Sequence, residues 1–491
     1  MVLKLYNSMS NGLEEFKPVT EGIVRMYNCG PTVYSFAHIG NFRSFTVMDL
    51  LRRFFEYKGL EVRQVVNITD VGHLTDDGDD GEDKLEVSAR KEKKHPLDIA
   101  KFYTEAFLDD WKLLNLEEPE FRPKATETVT EMIAFVEELL KKGHAYESGG
   151  NIYYDVSSFP DYGKLSGNSL DKLTKRRVDL DPNKRNPHDF VLWFSNSKFE
   201  NHILKWDSPW GEGYPGWHIE CSAMSAKLLS TAFEDGKFTP SNFETIDIHS
   251  GGEDNKFPHH ECEIAQTEGA TGKPFANYWL HVRHLMSEGE KMSKSLGNFY
   301  YVQDLIKDGF SPRSIRYLLL STQYRLPLNF TKEGLRASQK ALDRIDEVLK
   351  KLDSLRSDFD YNEELATVVS SMKLGVEKEL DNDLNVSGAF GAIFEAIKEI
   401  NKSFDAKTIG QNQAKEILSD FFSINKIFGL FSEQDVLKTE SLPEEVLAIL
   451  EERRIARENK NYAKSDELRD KLTEKGYVIK DTKEGQECSK A

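Results

Sequence analysis

Residues 23–68 carry strand, loop, helix and strand signals in turn, and this stretch restricts the fold more than any other part of the chain. A β-prone run at 23–28 leads into the loop Cys29-Gly30-Pro31-Thr32. Beyond Arg43, Met48, Leu51 and Phe55 recur at helical spacing until Gly59, and 61–68 is again rich in β-branched residues. A helix between two such strands returns the chain parallel to its start, so an α/β fold with a Rossmann-like parallel sheet is expected. Further on, 126–142 reads as a helix closed by Gly143, and 145–156 as a hairpin turning at Gly149-Gly150. After about Thr331, long Lys/Glu/Leu-rich helical patterns take over and predict an α-helical bundle ending near Phe431. Ser432-Glu433-Gln434-Asp435 reads as a linker, 445–475 as one charged helix, and 477–479 as a short strand after Gly476. The expected layout is a Rossmann-like domain from 1–120 and 200–255, an inserted connective subdomain at 121–199, and the rest of the first domain at 256–335. A helical bundle at 336–431 and a small mixed α/β domain at 432–491 follow.

Composition narrows the function classes. No stretch approaches the roughly 18 apolar residues of a membrane span, and the N-terminus lacks a charged leader with an apolar core, so the expected compartment is the cytoplasm. A net charge of −18 argues against a basic nucleic-acid coat. Residues 441–491, with 11 Lys/Arg against 12 Asp/Glu, are nearly neutral, so a local phosphate-binding surface there remains compatible with the charge. Cys29, Cys221, Cys262 and Cys488 are too scattered for a disulfide framework. The acidic run from Asp76 to Asp83 lacks the oxygen ligands of a calcium loop around either glycine and reads as a solvated loop.

His38-Ile39-Gly40-Asn41 lies where a loop enters the helix, near Phe42, so its imidazole and the first free helical amides can face one anion. Far downstream, Lys291-Met292-Ser293-Lys294-Ser295 forms a polar loop with two ammonium groups and two hydroxyls. Either segment alone fits a capping histidine or a solvated loop; together they resemble the signature of class I aminoacyl-tRNA synthetases. That resemblance implies adenylation, in which an amino-acid carboxylate attacks the α-phosphate of ATP, accompanied by Mg2+, and pyrophosphate leaves. It assigns catalysis to His38, Asn41, Lys291 and Lys294, with the lysines steadying the leaving phosphates and His38 the triphosphate. Gly40 lets the adenine approach, and Met292, Ser293 and Ser295 join the nucleotide loop. Charge builds on phosphate oxygens, so positioned donors suffice and no protein nucleophile is required.

Cys29, Cys221 and the pair His259 and Glu263, four apart on one helical face after Pro258, offer two thiolates, an imidazole and a carboxylate. Such a set suits zinc, although single cytosolic cysteines are usually inert buried thiols. These segments, with Asn67-Ile68-Thr69-Asp70, the run from Arg185 to Trp193, and Ser208-Pro209-Trp210-Gly211, are similar to the cysteinyl-tRNA synthetase family over most of the first 330 residues. The resemblance implies one Zn2+ per chain on Cys29, Cys221, His259 and Glu263. It places Thr69 and Trp217 in the substrate pocket, Gly251, Gly252 and Asp254 in the ATP site, and Gly30 and Thr32 among the residues that bind substrate or ATP. Cys262 stands beside a ligand position as a competing thiol. L-cysteine, ATP and tRNA(Cys) are the implied partners of a monomer. An apolar pocket separates near-isosteres such as cysteine and serine by only about a hundredfold, whereas zinc favours a thiol strongly.

Two departures from the family stand out. The acidic run intervenes before Lys84, and the C-terminus has Cys488 where the family tends to place an aromatic that reads the anticodon. Tyr477 is a candidate substitute, and Asp466 with Arg469, one helical turn apart, forms either base-edge contacts or an exposed ion pair. A cysteine ligase acting on a small amino sugar, or a non-catalytic RNA-binding paralogue, are the alternative functions. The first would lack the C-terminal module and the second would have lost His38, Lys291 or Lys294; this chain has all of them.

Overall fold

A computed structural model describes the chain apart from residues 1, 73, 77–79, 169–180, 197–202, 293–297, 432–442, 483–484 and 491, and it divides into two compact units, Met1–Phe431 and Ser432–Ala491. The expected linker at 432–435 therefore lies outside the described residues.

Four strands form the central sheet in the order Ala276–Val282, Ile246–Gly252, Ile23–Asn28 and Glu61–Val66, all parallel. They are buried over most of their length, as both faces of a parallel sheet must be when helices cover them. The Ile39–Tyr57 helix joins the strands at 23–28 and 61–66, and the His259–Thr271 helix joins 246–252 to 276–282. Chain order reverses between Ile23–Asn28 and Ile246–Gly252, which pair through Met26, Tyr27 and Asn28. Ligands of open α/β sheets bind in the crevice beyond the strand ends at such a reversal, and here those ends run into Cys29 and into Gly251-Gly252.

The inserted sheet is antiparallel, ordered Tyr214–Pro215, Phe190–Phe194, Asn151–Tyr154, Ala145–Ser148. Its hairpin turns at Gly149 and Gly150, with φ of 57° and 87°, the pair of positive angles a two-residue primed turn needs. The bundle comprises Lys332–Ser354, Glu363–Asp381, Val386–Asp405 and Gln411–Phe428; in the first, Leu335, Leu342, Ile345, Leu349 and Leu352 are buried at helical spacing. The acidic run departs from the solvated-loop expectation. Leu74–Asp76 pairs with Asp80–Asp83 in a short hairpin, and Asp83 then caps the helix that Lys84 opens by accepting from the amides of Leu85 and Glu86.

In the C-terminal unit the single helix expected at 445–475 is two, Glu444–Glu458 and Tyr462–Glu474. Lys460 takes φ 57° between them and the Asn461 side chain accepts from Lys464 N, so the chain stops and recaps within three residues. Tyr477 is not an exposed stacking surface; it packs with Leu468 and Leu472 in this unit's core, and Cys488 pairs with Ile479 across the closing hairpin. Nor do Asp466 and Arg469 form the expected pair, because Arg469 binds Asp481 at 2.9 Å. Asp481 also holds Arg453, whose guanidinium is fully buried, at 2.9 and 3.0 Å.

The hydrogen bond from Arg453 pulls the Asp481 carboxyl down to about 2. A depressed folded pKa gives stability above the ordinary carboxylate range near 4 that is lost as pH falls towards 2. Asp481→Asn strands a buried cation that Gln486 still partly satisfies. This unit should lose about 1–3 kcal/mol of stability at pH 7 and much of the mutational difference near pH 2, read by urea unfolding of both proteins.

Candidate active site and metal centre

The Ile39–Tyr57 helix begins three residues before the expected position, with His38 as its N-cap. His38 Nδ1 accepts from Gly40 N and Asn41 N at 3.0 and 3.2 Å, and Asn41 Oδ1 accepts from His38 N at 3.0 Å. In this capping box the amides of Gly40 and Asn41, expected to face an anion, are taken up by the imidazole, and Asn41 closes the box through its side-chain oxygen. With Nδ1 accepting, the proton of the neutral ring sits on Nε2, the nitrogen able to donate to a phosphate oxygen.

The residues flanking the downstream loop reach the same place. Lys291 pairs with Met286 at the end of a short strand, while Ser293, Lys294 and Ser295 lie outside the described residues, as does the Lys291 side chain. On either side of that gap the chain lies against the helix start. A Cβ on Gly40 would sit 2.8 Å from Met292 Cε, Phe299 meets the His38 ring edge-on at 4.7 Å, and Ile39 N donates to Tyr300 O. Arg43, one turn into the helix and fully buried, donates to the carbonyls of Arg283, His284, Gln323 and Leu326. Burial lowers its pKa to about 10. It fixes the helix to the segment that leads into the Lys291 loop.

At the strand ends, Cys29, Cys221, His259 and Glu263 place one ligand atom each within 4.8 Å of one another. Three elements supply them. Cys29 follows the Ile23–Asn28 strand, Cys221 sits on the Trp217–Leu228 helix, and a second helix, starting at His259, sets His259 and Glu263 on one face. Glu263 is fully buried; its oxygens lie 2.8 Å from His259 Nε2 and 2.5 Å from His249 Nε2, neither contact with hydrogen-bond geometry. A buried carboxylate placed this way, beside two thiols and an imidazole, fits a divalent cation of zinc's preferences. His218 Nδ1 lies 2.8 Å from His259 Nδ1, which leaves His259 Nε2 facing Cys221 and Glu263. Burial pushes the Cys221 thiol well up. It opposes the charge of Glu263 too, but the neighbouring His249 and His259 outweigh it and hold that carboxyl far down. Cys262 is not part of this group; its sulfur lies 3.4 Å from the Tyr162 hydroxyl in the core.

Several of the expected substrate residues form one hydrogen-bonded series. Gly30 N donates to Asn67 Oδ1, Asn67 Nδ2 to Thr69 Oγ1, and Thr69 Oγ1 to the buried carboxylate of Glu220. Gly30 is required, since a Cβ there would overlap Asn67 O at 1.6 Å. Thr32 bridges to Thr69. Trp217, half-buried, stacks on the His259 ring at 4.4 Å. Gly251 and Gly252 end their strand against His260 and the exposed Asp254. Lys84 stands apart from the metal group, its ammonium over the Tyr34 ring. Arg43, Asn67, Glu220, His249, His260 and His281 had no role assigned from the sequence pattern. The one signal for the histidines was their fully polar character inside strand and helix segments that have to be buried.

Three family models match this chain: "tRNA synthetases class I (C) catalytic domain" over residues 15–340, "DALR domain" over 375–432 and "Cysteinyl-tRNA ligase anticodon binding domain" over 439–488. Among curated relatives, the cysteine--tRNA ligase of Chlorobaculum tepidum is 42% identical, covering 99% of both chains. That of Treponema denticola is 43% identical over 98% of both, and that of Thermus thermophilus 40% identical over 99% of this chain and 98% of its own. Solved structures similar in fold include Mycobacterium tuberculosis methionyl-tRNA synthetase with methionyl-adenylate, at TM-score 0.60 and 13% identity over 87% of this chain and 94% of that one. Another is Agrobacterium radiobacter K84 LeuRS, at TM-score 0.61 and 12% identity over 87% and 86%. A catalytic match over most of the first 340 residues, an anticodon-binding match at the other end and full-length identity above 40% place the chain in the class I cysteine--tRNA ligase family.

Proposed function

We propose that the enzyme reads its substrate thiol through a zinc ion held by Cys29, Cys221, His259 and Glu263, activates L-cysteine with Mg2+–ATP, and passes it to the 3′ end of tRNA(Cys). The convergence of two thiols, an imidazole and an orphaned carboxylate beside Thr69 and Trp217 carries this reading. Bound there, the ion supplies a preference for a thiol over a hydroxyl. The chain does the rest. Trp217 closes one side over His259, while the Gly30–Asn67–Thr69–Glu220 series fixes the floor and presents a carboxylate towards a substrate ammonium. His38 Nε2–H and the lysines of 291–294 meet phosphate charge at the helix start. Adenine packing on Gly40 requires Met292 to withdraw from it.

Lys294→Ala should slow cysteine-dependent pyrophosphate–ATP exchange by about 10² or more, through kcat rather than the KM for cysteine. Rates within about twofold of wild type would remove Lys294 from the chemistry.

On the tRNA side, Tyr462 is the large exposed aromatic of the C-terminal unit among its described residues, at 63% exposure. It takes the stacking role that the buried Tyr477 leaves open. Tyr462→Ala should raise the KM for tRNA about tenfold, in keeping with about 1–3 kcal/mol per stacked base, and leave pyrophosphate exchange unaltered. An unchanged KM in charging assays would return the anticodon contact to other residues.

A further inference from the structure

We infer that the metal pocket has a second cation position, formed by His249 and His260 with Cys29 and Glu263 shared between the two. This rests on the assignment of the first ion to Cys29, Cys221, His259 and Glu263. The second set has the same compactness, its four ligand atoms lying within 4.8 Å of one another.

Three features separate it from a polar lining. Glu263 turns one oxygen to each set, Oε1 towards His259 and Oε2 towards His249, the disposition of a carboxylate bridging two cations. His260 points Nε2 at Cys29 Sγ, 3.3 Å away. Its Nδ1 lies 2.9 Å from His281 Nε2, and His281 Nδ1 lies 2.8 Å from Ser8 Oγ. A ring fixed through its far nitrogen by an outer chain, with its near nitrogen aimed at a thiol, is the arrangement of a metal-ligating histidine.

Charge supports the same reading. Two thiolates and a carboxylate against one divalent ion leave the pocket at −1, and Glu263, His249 and His260 are fully buried. Uncompensated charge at such a site is costly. A second divalent cation with two neutral imidazoles takes the pocket to +1, and the thiolate of a bound substrate then brings it to neutrality. The position fills after the first, because Cys29 and Glu263 already give part of their charge away. Its donor set of one sulfur, two nitrogens and one oxygen suits Zn2+ or Co2+.

The test is metal loading of the full-length protein, stripped with chelator and titrated with Co2+ in metal buffers, then repeated with Zn2+ and elemental analysis. Two ions per chain are expected in sequence, and the electron paramagnetic signal of the first Co2+ should diminish as the second couples to it through the shared thiolate and carboxylate. His249→Gln and His260→Gln should each bind one ion only, and Cys221→Ala should keep one, now sensitive to His260→Gln. Saturation at one ion in wild type, with no loss of signal at excess Co2+, overturns the second position and leaves the first intact. Saturation at none overturns the zinc reading itself. The wild-type titration decides the matter even if a histidine variant fails to fold.

Discussion

Cys221→Ala should lower cysteine activation at least about 10²-fold while ATP binding stays close to wild type. Loss of an outer-sphere partner alone typically costs 10–100-fold in metal affinity, and removing a ligand costs more. Cys221 is buried between the two helices that carry the set, with its sulfur 3.6 Å from His259 Nε2, and it acts on substrate only through what that set holds. The nucleotide elements stand on other supports, the His38 capping box and the Lys291 loop. Pyrophosphate exchange at saturating cysteine, with ATP affinity measured separately, checks the split. An equal fall in both would mean the substitution has damaged the sheet ends generally.

Removing residues 432–491 should leave cysteine-dependent pyrophosphate exchange within about twofold, yet reduce tRNA charging by about 10³ or more, a loss on the scale of several phosphate and base contacts. The deletion follows a boundary between two compact units, and the smaller has its own core of Val446, Ile449, Leu450, Leu468, Leu472 and Tyr477. Every adenylation residue named above belongs to the larger. Charging by the full chain should weaken steeply with salt as counterion release from the phosphates loses its driving force. The same truncation tests the amino-sugar alternative, because a ligase of that kind would complete its second step without the removed unit.

The parallel sheet was legible because its signals are local: a β-branched run, an amphipathic helix ended by Gly59, and a second run paired residue by residue from Ile23–Glu61 to Asn28–Val66. The hairpin at Gly149-Gly150 was legible for the same reason. What escaped depended on partners distant in sequence. Nothing near His38 announces that its Nδ1 will take up the amides expected to receive an anion, since that depends on the rotamer of a single ring. The break at Lys460 interrupts a charged pattern with helix formers on both sides, so periodicity runs straight across it. Tyr477 reads as an exposed aromatic until the hairpin folds over it. The metal group draws on one strand end and two helices, and its spacing carries no regular pattern; the family resemblance, not the spacing, pointed to it. His249 gave no motif at all, being a single histidine in a buried strand, and His260 was hidden by its neighbours His259 and Glu263, whose spacing accounted for the segment without it.

The account turns on metal-dependent selection of the thiol, and one measurement reaches it directly: pyrophosphate–ATP exchange with cysteine and with serine, on the zinc-loaded protein and on the same protein stripped to a demonstrated absence of metal. With zinc, cysteine should support exchange and serine should fall short by far more than the roughly hundredfold that pocket shape can give. Without it, the cysteine rate should collapse and return when zinc is restored. Full cysteine-dependent exchange in the zinc-free protein, with serine still rejected, would show that side chains alone read the substrate and would contradict the role given to Cys29, Cys221, His259 and Glu263.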